Sequence, residues 1–406
     1  MRFIDENTAN ALTGSRAGDL IRVYAWYGGK LSFPDPLKVT SWSINWDRSR
    51  QVSQMNVTIV DESGKQAPWL LEDPLGVGGA ELQVIYQVGS AGYVNLGWYR
   101  ITQSEPDDQW RSYLIDEKGR INPNTPIPKD KRLVSVPGGT VVQITAQDRG
   151  RNAQSYRLLA PESPPGSSPT IVSEIQRLMD GIAPVVTTSG VVDRAVNKSL
   201  VYQDDRLNAV QDLARRILCD VRFNGDGQCE IYPLTAQSPV WTVRGGPEGA
   251  LVRVNRSQSL DGLYNIFVVE GTATNGGRSI PVTGISQIST GPLSVNGPHG
   301  RVPKFYSSPM ISTQAEADAY AQTMMSTQLA GLTTDLKVEC LPNPAIQQGD
   351  WVTIASPIVN GQEALLSGSV KTMDLRSAGS TVGPMALTVE CSYTDVQTVM
   401  GGVNRG

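Results

Sequence analysis

Apolar residues recur at every second position in short runs along most of this 406-residue chain. In "TSWSINWD", Trp42, Ile44 and Trp46 alternate with Ser41, Ser43 and Asn45, and in "QMNVTIVD", Met55, Val57 and Ile59 repeat the pattern. A period of two puts one apolar and one polar face on an extended backbone, so these runs predict half-buried antiparallel strands. "LIRVYAWYGGKL" adds a strand and a Gly28-Gly29 turn, and "AELQVIYQVGSAGYVNLGWYRI" adds a hairpin with Gly89 and Gly92 in its loop. Forty glycines and twenty-six prolines supply the turns that such an architecture needs. The length predicts two to four domains.

Breaks in the pattern predict the organisation. Residues 1–16 have no period and are expected to be an arm that orders only against a neighbour. Residues 17–159 are expected to form a small β-barrel, interrupted at 104–135 by clustered charges and prolines that predict a projecting loop. The linker "APESPPGSSPT" opens an α+β module over 160–240. There Ser168 is expected to cap a helix with Pro169 at its first position and Ile171, Ile175, Leu178 and Met179 on one face. Asp204 or Asp205 is expected to cap a second helix, with Leu207, Val210, Leu213, Ala214 and Ile217 as its stripe. A hairpin turning on Asn224-Gly225-Asp226-Gly227 follows.

Residues 241–274 and 333–398 are expected to form a second, discontinuous β-barrel, with the stretch "LPNPAIQQGDWVTI" (341–354) as a tight corner between two of its strands. Between them, residues 275–332 read as an insertion with a helix. Thr313 and Glu316 have capping-box spacing there, and Ala317, Tyr320, Ala321, Met324 and Leu329 are the expected buried face. Residues 399–406 are a C-terminal tail. The fold class expected is thus a β-rich α+β multidomain chain of two small antiparallel β-barrel domains, an intervening α+β module and a helical insertion.

Composition excludes several functions. A net charge of −4 and a pI near 5.3, without any Lys/Arg-dense window, argue against a protein that grips nucleic acid by counterion release. The N-terminus lacks the apolar core of a signal peptide, and no run of about eighteen apolar residues occurs, which predicts a soluble chain with no Sec-type export signal and no membrane-spanning segment. Cys219, Cys229, Cys340 and Cys391 have no zinc-type spacing and read as small buried residues in strands.

His299 is the single histidine, in the loop "NGPHGR" with no nucleophile motif beside it, so it reads as a loop or interface residue. Two-histidine zinc hydrolases are excluded, and neither a GxxxxGK[ST] loop nor a GxGxxG occurs. Glu105 with Asp107 and Asp108, Asp204 with Asp205, and Glu316 with Asp318 are the acidic groups from which a glycosidase pair could be drawn, but a solvated loop, a helix cap and a solvated helix face explain them better. Asn224–Gly227 lacks the acidic series of a calcium loop. Trp26, Tyr27, Trp42, Trp46, Trp98 and Tyr99 fit core or subunit interface better than a sugar platform. No catalytic, cofactor-binding or metal-ligating residue is assigned, no cofactor is expected, and the chain reads as no enzyme.

The order of parts carries one resemblance. A β unit, a "GDG" hairpin, "LYNIFVVEG" with Tyr264-Asn265 and Gly271, an "FYSSP" segment, the "AEADAYAQTMM" helix and then "LPNPAIQQGDWVTI" together resemble the tail-tip hub proteins of long-tailed bacteriophages. That family is related to contractile baseplate hubs and to the base of type VI secretion spikes. "PLKVTSWSINWDRSRQVSQMNVTIVD" and "NLGWYRI" are similar to minor tail proteins of phages infecting actinobacteria, and the resemblance spans about residues 17–395.

The resemblance implies tail-tube-like barrels, a homotrimer whose six barrels make a pseudo-sixfold ring, and a place at the virion tail tip after assembly in the bacterial host cytoplasm. The implied partners are the distal tail protein ring, the tape measure protein and other tail-tip or fibre proteins, with DNA passing through the lumen unbound. The alternatives are a tail-associated wall hydrolase using acidic residues and a carbohydrate-binding adhesin.

Overall fold

The computed structural model describes residues 1–12, 18–115, 121–122, 133–246, 249–257, 262–275, 278–307, 311, 313–357, 363–379 and 381–401. They fall into two compact units, Met1–Asn255 with Lys337–Val389, and Arg256–Leu336 with Glu390–Gly406.

The chain begins with α1 (Glu6–Ala11), β1 (Leu20–Tyr27), β2 (Lys30–Leu31), β3 (Val39–Asp47), β4 (Gln54–Asp61), β5 (Glu81–Val88), β6 (Gly92–Ile115), β7 (Ile121–Asn122), β8 (Leu133–Asp148) and α2 (Gly150–Ser155). Next come α3 (Ile171–Leu178), β9 (Val185–Thr187), α4 (Arg206–Arg216), β10 (Cys219–Phe223), β11 (Cys229–Pro233), β12 (Trp241–Val243) and β13 (Leu251–Ser257). β14 (Ile266–Asn275), β15 (Arg278–Gln287), β16 (Pro303–Ser307) and α5 (Gln314–Ala330) follow, then β17 (Thr333–Cys340), β18 (Trp351–Pro357), β19 (Glu363–Ala378), β20 (Thr381–Val382), β21 (Met385–Ser392) and α6 (Tyr393–Gly401).

Fifteen strands share one sheet, whose main path is β13-β17-β21-β19-β3-β4-β8-β6-β5-β1-β2. The alternation in β3 and β4 works as the sequence predicts: Trp42, Ile44, Trp46, Met55, Val57 and Ile59 are buried. Two separate barrels are not what the pairing makes, because the path is continuous and no ring of strands closes among the described residues. The reason is β19. Its first part pairs with β18 from Glu363↔Pro357 to Ser369↔Trp351, and its second with β3 from Thr372↔Asp47 to Arg376↔Ser43. A strand of sixteen residues, roughly 50 Å long, reaches both lobes and joins them.

The projecting loop expected at 104–135 is, where described, a ribbon. β6 runs on through Glu105, Pro106, Asp107 and Asp108 and pairs with β8 out to Leu114↔Leu133. Beyond Thr140↔Asp61 the ribbon has no β4 beside it, and Gln109–Ser112 are exposed on both faces without apolar alternation. Residues 116–120 and 123–132 lie outside the described residues.

The α+β module packs α3 and α4 around a core with Ile175, Leu178, Leu207, Val210, Leu213 and Ile231. Helix α3 starts two residues later than Ser168-Pro169 suggested. Thr170 is its N-cap, and the Thr170 and Ser173 side chains each accept from the other's backbone N–H, a reciprocal capping box. Asp205, rather than Asp204, caps α4 by accepting from the Asn208 N–H at 2.9 Å.

In the second unit β14 lies between β15 and β16 in a three-stranded sheet. Ile266–Asn275 therefore does not join the large sheet as expected for 241–274, since its ladder partners come from the insertion itself. Helix α5 buries Ala317 and Ala321 against Val269 and Val282. Tyr320 and Leu329, expected on the same face, are exposed, and Tyr320 stacks on Tyr306 with centroids 4.8 Å apart.

Candidate functional site

The polar side of the strands that supply the core is a second continuous surface. Residues paired across a sheet share a face, and the registers align three polar rows. One runs Arg376, Ser43, Asn56, Thr145, Gln103, and the next Asp374, Asn45, Gln54, Gln147, Arg100. A third runs Ser41, Thr58, Gln143, Glu105. All lie on β19, β3, β4, β8 and β6, and the two carboxylates are matched by two guanidinium groups.

The rows are hydrogen-bonded along themselves. Ser41 Oγ donates to Thr58 Oγ1 at 2.9 Å, Thr145 Oγ1 to Asn56 Oδ1 at 3.2 Å, and Asn45 Nδ2 to Asp374 Oδ1 at 2.9 Å. Each such pair contributes roughly 0.2–1 kcal/mol. The surface dips into an open hollow of about 510 Å³ lined by Ser43, Asn56, Gln143, Thr145, Glu105 and Arg376. Hydroxyl and amide groups make it wettable, and its balanced charges give it no net pull on a polyanion.

Behind this face, on the core side of β3, the corner 343–350 locks the strands in place. All eight residues from Asn343 to Asp350 are buried. Asn343 Oδ1 accepts from the Ala345 N–H, and Asp350 Oδ2 from the Gln347 N–H, so each end of the corner is a side-chain-closed turn. Gly349 has φ +84°, and a Cβ there would run into the Tyr232 ring. Only glycine fits.

Two buried arginines hold the corner. The Arg2 guanidinium lies 5.4 Å over the Trp46 ring and donates to the carbonyls of Pro344 at 2.8 Å, Ile346 at 2.6 Å and Leu96 at 3.3 Å. No carboxylate among the described residues pairs with it. Burial pulls its pKa down to about 10, which leaves it charged at neutral pH. Arg222 donates to the Gln348 carbonyl, to Asp350 Oδ1 at 3.1 Å and to Glu230 Oε2 at 2.6 Å. Burial disfavours its charge, but Asp350 and Glu230 outweigh burial and raise its pKa. A void of about 20 Å³ lined by Arg2, Trp46, Asp148, Arg222 and Gln348 has room for one water and for no substrate.

The arm expected to order only against a neighbour is therefore, in residues 1–12, bound to its own chain. Arg2 fills the corner, Asp5 caps α1 by accepting from the Thr8 N–H at 2.7 Å, and Thr8 is buried. Residues 13–17 lie outside the described residues. Nothing in the sequence distinguishes Arg2 from a solvated arginine. Its signal is the set of carbonyls opposite it, from Leu96, Pro344 and Ile346, which lie 94, 342 and 344 residues away.

The other residues singled out by sequence are dispersed, and most are already engaged. Asp204 pairs with Arg157, Asp108 accepts from Thr140 Oγ1 at 2.6 Å, Glu316 accepts from the Thr313 N–H at 3.1 Å, and Asp318 accepts from Gln314. Glu105 accepts from Gln103 Nε2, and Asp107 is exposed on the ribbon. His299 Nε2 lies 3.2 Å from the Leu263 carbonyl. Asn224 Oδ1 closes the 224–227 turn by accepting from the Asp226 and Gln228 N–H groups.

Trp42, Trp46 and Tyr99 are core, the half-buried Trp26 and Trp98 pack at 5.2 Å, and of the six only Tyr27, at the end of β1, is exposed. The four cysteines are buried, and burial pushes the Cys229, Cys340 and Cys391 thiols up to about 12, which leaves them inert. Among the described residues no group of three His, Cys, Asp or Glu is placed to hold a metal, and no helix is long and apolar enough to cross a membrane.

No protein-family model and no curated protein matches the sequence. The fold, in contrast, is similar to that of solved structures. A tail protein from Neisseria meningitidis matches at 13% identity with a TM-score of 0.55, over 91% of this chain and 96% of that one. A 43 kDa tail protein of prophage MuSo2 from Shewanella oneidensis matches at 10% identity and TM-score 0.56, over 91% and 97%. A chain of a Francisella PdpA–VgrG complex matches at 7% identity and TM-score 0.52, over 92% of this chain and 58% of its own length.

Proposed function

The chain has the fold of phage tail proteins, and from that premise we propose that it is a structural hub of a bacteriophage tail tip. In this reading three copies form a ring that caps the tail tube, joins the distal tail ring to the tip, holds the end of the tape measure protein and leaves a channel for DNA ejection. The observation that carries it is the polar face across β19, β3, β4, β8 and β6. A channel for DNA needs a wettable wall that does not neutralise phosphates, because each neutralised phosphate releases counterions and adds affinity. A wall of Ser, Thr, Asn and Gln with matched charges meets both needs.

A wall hydrolase would draw on the acidic groups, but most of them cap helices or pair with neighbours. An adhesin would draw on the tryptophans, but Trp42 and Trp46 are core. Both observations favour the structural reading.

The test replaces Asn56, Gln143 and Thr145 by arginine in tail particles and times DNA ejection in vitro. We expect ejection slowed on the order of tenfold at low salt and restored by added salt. Unchanged ejection in particles carrying the variant chain would remove this face from the channel wall. Native mass tests the ring separately: three times 43.8 kDa is expected once the ring has formed.

A further inference from the structure

The connection between β4 and β5 carries three consecutive apolar side chains pointing at solvent. Trp69 is 83% exposed, Leu70 59% and Leu71 67%. Isolated exposed leucines need no explanation, but a contiguous Trp-Leu-Leu does. This one is held in place by unusually many local bonds. The Asp61 carboxylate accepts from the N–H groups of Ser63, Gln66 and Ala67, and Asp73 accepts from those of Trp69 at 2.6 Å and Leu70 at 2.7 Å. The Gly78 N–H closes the loop onto the Leu71 carbonyl at 2.7 Å, and a Cβ at Gly78 would overlap that carbonyl. Leu75, fully buried, roots the loop in the core.

The apolar tip is thus pre-organised in the exposed state rather than left to collapse. Rigid aromatic anchors of this kind dominate protein–protein binding energy, because little side-chain freedom remains to be lost on docking. The flanking charge narrows the partner. Glu72 and Asp73 follow the tip directly, Glu62 is paired with Lys38 at 3.1 Å, and Lys65 is the single cation of the loop, a balance that leaves the tip acidic and disfavours an anionic lipid surface. Two hollows among the described residues of this chain suit it poorly as well. The one at Met179–Val185 carries Asp180, and the one beside Leu200 and Leu213 carries Asp204, Asp205 and Asp212 against Arg216.

We propose that Trp69, Leu70 and Leu71 dock into an apolar hollow, rimmed by Lys or Arg, on a different protein of the tail. The inference rests on the tail reading for where that partner is found.

A photo-crosslinking amino acid in place of Trp69, in particles assembled with the full chain, tests it. The expected result is an adduct on a peptide of another tail protein, with the yield cut on the order of fivefold by Glu72→Lys. Position 72 is exposed, so that variant keeps its fold. An adduct on a second copy of this chain, an unchanged yield with Glu72→Lys, or no adduct in particles that contain the chain overturns the docking inference and leaves the tail reading standing. Absence of the chain from purified particles overturns the tail reading and this inference with it.

Discussion

The corner at 343–350 and the loop at 61–79 solve one problem with opposite polarity. Both are irregular segments between strands, and irregular backbone must find hydrogen-bond partners outside a ladder. In the corner, guanidinium donors from Arg2 and Arg222 take up carbonyls, and eight consecutive residues are buried. In the loop, the Asp61 and Asp73 carboxylates take up N–H groups, and Trp69, Leu70 and Leu71 are left in water. One arrangement joins parts of the same chain. The other spends its rigidity on a surface that contributes nothing to this chain's own core, so the two should respond differently to mutation.

The largest effect is expected at Arg2. Hydrogen bonds involving a charged group are each worth roughly 1.5–3 kcal/mol, and a buried acceptor left without a donor costs more again. Arg2→Ala orphans three carbonyls at once, so a loss of about 4 kcal/mol in urea unfolding is expected. Arg2→Lys should recover only part of it, since one ammonium does not span three carbonyls as a planar fork does. A loss under about 1 kcal/mol for Arg2→Ala would mean that the corner holds its shape without the arm, and the contrast with the loop would weaken.

Next in size is a pH effect beside the corner. Burial raises the Asp148 pKa to about 6, against the N–H groups of Ser53 and Gly150, which lower it. The folded state therefore binds this proton more tightly than the unfolded state, whose Asp titrates near 3.9. Stability from this group is fully present below about pH 4, falls as pH rises to about 6, and is flat above. The difference is about 3 kcal/mol. Urea unfolding of wild type and Asp148→Asn at pH 4, 5, 6 and 7 checks it: the wild-type advantage should shrink with rising pH, and a constant difference would refute the assignment.

How far these regions are legible in sequence depends on the range of the interactions that make them. The polar face is half visible: Ser41, Ser43 and Asn45 alternate with Trp42, Ile44 and Trp46, and Gln54, Asn56 and Thr58 do so with Met55, Val57 and Ile59. Which strands lie side by side is not visible, because β3 pairs with β19 across more than three hundred residues. The ribbon is hidden because Glu105–Ser112 are exposed on both faces and carry no apolar alternation, so the proline and three acids in 105–108 read as a loop. Helix caps are local, so the sequence narrows the α4 cap to Asp204 or Asp205 and places the α3 cap within two residues of Thr170. Arg2 is not legible, since only the assembled corner creates its partners. The tip at 69–71 shows in sequence as three apolar residues, but apolarity alone reads as core. Its exposure follows from where Asp61, Asp73 and Leu75 fix the backbone.

Leu75 is the loop's counterpart to Arg2, with a smaller effect expected. Leu75→Ala removes a fully buried side chain and should cost about 2–3 kcal/mol, toward the lower end for such changes because an exposed loop can settle into the space. It should also free the tip. Hydrogen exchange at the Trp69 and Leu70 amides, whose N–H groups Asp73 accepts, should then speed up while exchange around Gly349 stays slow. Equal acceleration at both places would make corner and loop one cooperative unit.

The smallest expected effect on stability is the sharpest test of the contrast. Trp69 is among the most exposed large apolar side chains of the described residues, and its backbone N–H, rather than its indole, ties it to Asp73. Trp69→Ala removes apolar surface that water already covers, so unfolding free energy should change by less than about 0.5 kcal/mol. If the tip exists for a partner, the same substitution should lower incorporation of the chain into tail particles on the order of tenfold, the usual scale for losing one anchor. Arg2→Ala would depress incorporation too, but in proportion to its loss of stability, and lower temperature should restore it. Cooling should not rescue Trp69→Ala, because no unfolded fraction is there to be recovered. A Trp69→Ala chain that is both fully stable and fully incorporated would leave the three exposed side chains without a role, and the rigid scaffold beneath them would then belong to the fold of the β4–β5 connection alone.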